Sequence, residues 1–307
     1  MIKESTDTAN GGTNAAGDLK RRRAPITPTG YAWRRFRRHK LALAGLVTIV
    51  FLIIIAVFAP TVAQYEPNKI NLREKEDPPS LAHWLGTDQT GRDVLSRIIY
   101  GARISLLVGF ASAAFVTVLG TVLGAFMGYH GGVVDGFLSR VTDAFMCFPT
   151  LIIVTVLVAM LEPGIQNTIL VIGLFWWPSL ARLVRGQFLS LREMDYVLAS
   201  RALGAKPNFI IFRHILPNAV GPVLVQMTFL VIGAILTEAS LSFLGLGVNE
   251  PTASWGSMLF HARTLRILEQ RPWLWIPPGM MIVVTALSVN FIGDALRDAF
   301  DPRMVIE

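Results

Sequence analysis

Six stretches of this chain run for 17 to 26 residues without a single charge: residues 41–59, 104–129, 144–161, 165–181, 215–237 and 273–293. A helix of about 20 apolar residues crosses the hydrocarbon core of a bilayer, with about 17–25 the usual range. Inside lipid the backbone must satisfy its own hydrogen bonds, which each helix does. The spacing therefore predicts an all-α membrane protein with six transmembrane helices. Composition agrees: 52% of residues are hydrophobic and 16% charged, against roughly 25% charged in a soluble domain. The fourth run is short, and Trp176-Trp177-Pro178 suggests an interfacial end. Pro149 in the third run and Pro222 in the fifth imply kinks or a lined cavity.

Lysine and arginine set the orientation. With the N-terminus inside, ten lie in the leading segment, Arg140 in the second loop, six between Arg182 and Arg213, and Arg297 and Arg303 at the end. The other side would hold six between Lys69 and Arg103, with Arg263, Arg266 and Arg271. Nineteen against nine places both termini and the loop at residues 195–217 in the cytoplasm. The net charge of +7 then reads as loops beside anionic lipid, with no nucleic-acid partner.

The chain divides accordingly. Residues 1–30 are polar and expected to form a disordered cytoplasmic arm. Residues 31–65 hold a basic juxtamembrane segment, with Trp33 and Phe36 at headgroup level, and the first span. Thr61-Val62-Ala63 resembles a signal-peptidase site, but the apolar run before it is longer than a signal core, so this span is read as uncleaved. Residues 66–103 form an extracytoplasmic loop ending in an amphipathic interfacial helix that runs into the second span, where Thr90 and Asp93 have capping-box spacing. Val94, Leu95, Ile98, Ile99 and Ala102 make its apolar stripe, with Arg92, Ser96 and Arg103 away from it. Residues 104–300 are the membrane domain and 301–307 a cytoplasmic tail.

Three features inside that domain bear on packing. Gly120, Gly124 and Gly128 form a small-residue ridge that lets helices approach closely. It is read as packing within the bundle, with a seam to a second subunit as the alternative. Glu238, just past the fifth span, is read as paired at the interface, or else lining a pathway. Cys147 is read as a buried small hydrophobe.

Residues 195–217 read DYVLASRALGAKPNFIIFRHILP, a polar island between two apolar runs. Good helix formers lead to Gly204, suited to a C-cap, and Pro207 can open a second short helix. Val197, Ser200, Leu203 and Gly204 fall on one face, which can lie in a partner's groove or, as in an ordinary inter-helix loop, fold back on its own protein.

This island resembles the EAA loop of ABC-importer permeases, whose pattern is E-A-A, three residues, Gly, nine residues, I-x-L-P. Leu198-Ala199-Ser200 stand at the triplet, Gly204 at the glycine and Leu216-Pro217 at the end. Leu198 replaces the acid, Ser200 the second alanine and His214 the isoleucine. Two further stretches, GTDQTGRDVLSRIIYGARISL and ASLSFLGLGV, are similar to the C-type permease subunits of dipeptide, oligopeptide and nickel ABC importers.

The resemblance implies a type I ABC-importer (MetI-like) permease fold with a cytoplasmic coupling helix, in the inner membrane. Asp195, Leu198, Ala199, Ser200, Leu203, Gly204 and Ala205 would couple this chain to an ATPase. Its implied partners are a homologous B-type permease, two ATP-binding subunits and an extracytoplasmic binding protein, besides membrane lipid. The chain would bind no cofactor, with ATP and magnesium on partner subunits. Peptides are the expected cargo, with nickel or sugars as alternatives.

Chemistry of its own is not legible. The chain has no G-x-x-x-x-G-K-[ST] loop, no H-E-x-x-H and no G-x-S-x-G, and its five histidines are scattered. A membrane-bound enzyme is therefore disfavoured. An ion-coupled secondary transporter is disfavoured because the six runs lack charge.

Overall fold

A computed structural model describes residues 35–37, 39–248 and 250–300. The polar arm at 1–30, Trp33 and the tail at 301–307 lie outside the described residues.

The main helices are α1 (Lys40–Val57), α2 (Val94–His130), α3 (Gly132–Met146), α4 (Thr150–Met160), α5 (Ile165–Leu191), α6 (Asp195–Ala202), α7 (Leu216–Phe243), α8 (Trp255–His261), α9 (Leu265–Gln270) and α10 (Ile276–Phe300). Among the described residues the extended structure amounts to a single bridge, Thr87 with Asp93. Five helical segments are long and apolar enough to cross a membrane, or six if α3 and α4 together make one span.

Helix α2 is central. It packs on α5 and α7, α7 packs on α10, and α10 carries α1. The glycine ridge explains the tightest seam. A Cβ on Gly124 would lie 2.4 Å from the Ala181 carbonyl oxygen, and one on Gly128 would lie 2.4 Å from Phe188 Cβ. One on Gly120 would lie 2.9 Å from Leu180 Cβ. The ridge therefore faces α5 of the same chain, and the bare backbones nest where no side chain would fit. Leu180, Val184 and Phe188 complete the core there, each fully buried.

Several expectations need correction. The third span is not one kinked helix: it breaks at residues 147–149, and α3 and α4 meet at 80°. Pro149 caps α4, and with no N–H and a ring that crowds the preceding turn it cannot continue α3. Cys147 lies at this elbow and is exposed. Second, α5 does not end at Trp176-Trp177-Pro178 but runs through Pro178 to Leu191, with Trp177 buried.

Third, the helix that runs from the long first loop into the second span, unbroken at residues 103–104, does not start where its capping-box spacing put it. Its cap is Asp93, whose Oδ2 accepts the Ser96 N–H at 2.7 Å, so Thr90 is not the cap. Fourth, this start is not a surface-lying amphipathic helix. Arg92 and Ser96 are buried along with Val94 and Ile98. Val94 and Ile98 pack on Met258, Ala262, Ile267 and Leu274 from the segment that holds α8 and α9. The two long connections thus form one lid over the end of the bundle where α2 begins.

Asp88 organises that lid. It accepts the Thr90 and Arg92 amides at 2.8 and 3.0 Å and the Arg92 Nε–H at 2.7 Å. Burial pushes the Asp88 carboxyl up. The Arg92 amide, the Arg92 charge and Thr90 together outweigh burial and hold it below its ordinary value.

Candidate functional site

At the opposite end of the bundle, α6 stands across the ends of α2 and α7. Met194 precedes it without a side-chain cap, and Asp195 in the first turn complements the helix dipole. Val197 is fully buried and joins the main core with Ile210 and Ile215. The Ser200 hydroxyl donates to the Tyr196 carbonyl at 2.8 Å and lies 3.4 Å from His214 Nε2. The Tyr196 ring lies 6.2 Å from the His214 ring, and Asn218 donates to the Tyr196 hydroxyl at 3.4 Å. The Arg201 guanidinium sits 5.9 Å from the Tyr129 ring centre, which ties α6 to the end of α2.

The helix ends in a Schellman motif. The Ala205 N–H donates to the Ser200 carbonyl at 3.1 Å and the Gly204 N–H to the Arg201 carbonyl at 3.0 Å. Gly204 has φ +79° and open space where a Cβ would be, so backbone conformation, not crowding, selects glycine. Pro207 then opens a short helix, as its spacing suggested. A π-turn at Ile210–Ile215 leads into α7. The result is one helical rod, Pro207–Phe243, of 37 residues.

The residues of the expected docking face do not all point the same way. Val197 and Ser200 turn inward and hold α6 down, and Ala205 is partly covered. Asp195, Leu198 and Ala199 point outward, followed by Leu203 at 88% exposure and the bare Gly204. Ala202 shares the outward face and was missed. Taking the large apolar Val197 as the anchor and stepping 100° per residue finds it. Phe209 and Phe212 extend the exposed apolar surface beyond the cap.

Glu238 is fully buried near the far end of α7. Ser105 of α2 donates to its Oε2 at 3.1 Å and Ser242 to its Oε1 at 2.8 Å. Ser105 Oγ also accepts the Trp255 N–H at 3.2 Å, which brings in α8. The carboxylate is thus a clamp joining three helices, with hydroxyl partners and, among the described residues, no cation within ion-pair distance. It lines none of the described cavities. Gly245 (φ +80°) and Leu246 end α7 in a second Schellman motif, with bonds to Ser242 and Leu241.

Two cavities flank the middle of α7. One, of about 410 Å³, is lined by Leu183, Gly221, Pro222, Val225, Arg297 and Phe300. The other, of about 340 Å³, lies at the α3–α4 elbow against Thr150, Trp176 and Ser179. Gln226 and Phe229 line both. Among the described residues no three His, Cys, Asp or Glu side chains group closely enough to hold a metal ion.

A bundle of apolar helices with two lined cavities, and a rigid exposed helix rooted in the same rod that lines them, defines a membrane transport subunit. Comparison with known proteins makes this specific. The profile of binding-protein-dependent transport system inner membrane components matches residues 120–306. That of the N-terminal TM domain of oligopeptide transport permease C matches residues 27–79. The oligopeptide transport system permease protein OppC of Bacillus subtilis (strain 168) is 43% identical over 273 residues, covering 89% of each chain. The dipeptide transport system permease protein DppC of Alkalihalophilus pseudofirmus is 41% identical over 279 residues, covering 91% of each. In fold, the chain is similar to an inward-facing structure of the MetNI methionine ABC transporter. The TM-score is 0.55 at 19% identity, over 67% of this chain and 97% of that one.

The chain belongs to the family of binding-protein-dependent transport system inner membrane components. It is a permease subunit of an ABC importer with the MetI-like fold. Membership sets aside the secondary transporter and is consistent with a non-catalytic membrane subunit.

Proposed function

We propose that this chain is the C-type half of a peptide importer of the inner membrane, with both termini in the cytoplasm. It pairs there with a B-type permease, two ATP-binding subunits and an extracytoplasmic binding protein. ATP and magnesium act on the ATP-binding subunits. Peptide cargo is favoured by the names of the relatives, which are oligopeptide and dipeptide permeases. The cytoplasmic placement of α6 is favoured by the nineteen-to-nine bias of lysine and arginine.

One observation carries the coupling role. Helix α6 is fixed to its own bundle through Val197, while Leu198, Ala199 and Leu203 face outward and are exposed among the described residues. A short capped helix is stiff, so force on Leu203 reaches the π-turn and α7. ATP-driven closure of the partners would then bias the bundle between its two states.

Gly204→Arg in the assembled importer tests this. Uptake and binding-protein-stimulated ATP hydrolysis should both fail while the subunit still inserts. Gly204→Asn, which tolerates positive φ, should retain most of both. Normal uptake by the arginine variant would remove the coupling role.

A further inference from the structure

We propose that Gln226 of α7 touches the cargo in transit, its side-chain amide hydrogen-bonding to the peptide backbone, with Phe229 one turn on as the apolar wall beside it. This rests on the peptide-import reading.

Gln226 is a primary amide in the middle of a long apolar run. Nearby polar residues of the rod are occupied: Asn218 donates to the His214 carbonyl at 2.7 Å, and the Thr228 hydroxyl donates to the Val225 carbonyl at 2.7 Å. The Gln226 side chain makes no hydrogen bond among the described residues. An amide left dry in hydrocarbon is costly. Polar side chains at membrane depth therefore face a bundle interior or a water-filled space.

Gln226 faces two such spaces at once. Gln226 and Phe229 are the side chains shared by the cavities of about 410 and 340 Å³. They form the partition between a space that reaches Arg297 and one at the α3–α4 elbow. Opening this partition would join the two. Gly221 and Pro222 lie one turn before Gln226, and Pro222 leaves the ladder one hydrogen bond short there. The rod's hydrogen-bond ladder is therefore interrupted just below the partition.

The chemistry suits a peptide rather than an ion. A primary amide offers two donors and an acceptor without charge. It matches the N–H and C=O common to every peptide, whatever its side chains. The cavity walls around it are otherwise apolar or hydroxyl-bearing, with Arg297 at one end.

The test uses the complete importer in proteoliposomes, with Cys147→Ala removing the native thiol. Gln226→Cys should react with a membrane-impermeant methanethiosulfonate, and saturating tri-alanine with its binding protein should slow that reaction about tenfold. Gln226→Leu should cut tri-alanine uptake roughly tenfold, the worth of one lost hydrogen bond, with ATPase stimulation kept within about twofold because the α6 contacts are intact. A cysteine at 226 that the reagent reaches neither without nucleotide nor with ATP overturns the inference, even if the wild type imports tri-alanine. Unchanged uptake by Gln226→Leu overturns the hydrogen bond. A wild type that imports no tri-alanine overturns the peptide reading, while a reactive cysteine at 226 still places that residue on the aqueous path.

Discussion

Gly124 lies so close to Ala181 that a Cβ on it would sit 2.4 Å from the Ala181 carbonyl oxygen. That oxygen is backbone, so it cannot swing aside as a side chain could. Gly124→Leu should therefore force α2 and α5 apart and destabilise the subunit by about 1–3 kcal/mol or more, the usual range for an overpacked core. Gly136→Leu, with open space around it, should leave stability nearly unchanged. Thermal unfolding of both variants in detergent checks the contrast. Equal melting would mean the ridge is not a packing seam.

The Glu238 clamp predicts an asymmetry between two substitutions. Glu238→Ala removes the acceptor for Ser105 and Ser242 and leaves their hydroxyls buried without it. The expected loss is about 1–3 kcal/mol. Glu238→Gln keeps an acceptor and nearly the same volume, so most of the stability should remain. Chemical denaturation of the two variants decides it, and a glutamine as damaging as alanine would show that the charge itself matters.

Leu203 and Val197 should separate docking from folding. Leu203→Asp changes a side chain that touches little of its own chain, so stability should stay within about 0.5 kcal/mol of the parent. ATPase stimulation should nonetheless drop at least tenfold. Val197→Ala opens a hole under α6 and should cost about 1–2 kcal/mol, read as faster amide exchange across residues 195–205.

Acid should loosen the lid. Burial holds the His261 pKa below its ordinary value, outweighing Glu250, whose Oε1 is 2.6 Å from Nε2; Arg92 and Arg97 push the same way as burial. A histidine with a depressed folded pKa is stabilising above the unfolded value of about 6.5, and that contribution fades as pH falls through the folded value. Asp88, also depressed, adds a second loss below about pH 4. Amide exchange across residues 86–93 and 255–262, corrected for intrinsic rates, should speed up from about pH 7 to 5. His261→Gln should flatten that response, and an unaltered slope in the variant would assign it elsewhere.

Much of this was legible in the residues, and the failures share a cause. Lipid requires long apolar runs, so five spans were plain. Gly204 was legible as a cap because positive φ has few takers, and the ridge at 120, 124 and 128 because small residues at every fourth position have few other uses. What periodicity does not carry is which partner a face meets. Arg92 and Ser96 looked like a solvent face, yet both are buried: Arg92 lies 3.6 Å from Glu250, 158 residues on, and Ser96 accepts the Tyr65 N–H at 3.2 Å. The stripe through Val197 and Ser200 looked like a docking face because the covering π-turn has no clear local signature. The elbow at Cys147 was read as continuous because its composition stays apolar through the break. Gln226 stood unnoticed in an apolar run until two cavities converged on it.

The Pro207–Phe243 rod has a mechanical consequence. At 1.5 Å per residue its 37 residues measure about 55 Å, nearly twice the roughly 30 Å of hydrocarbon it crosses. Such a beam overhangs the bilayer, and its far end is bolted by Glu238 to Ser105. With that bolt as pivot, a tilt of a few degrees sweeps the α6 end several ångströms sideways while the carboxylate hardly stirs. A nucleotide-driven stroke would thus be greatest at the blade and smallest under the lid, so the lid must be released by a twist of the beam or by something seated upon it.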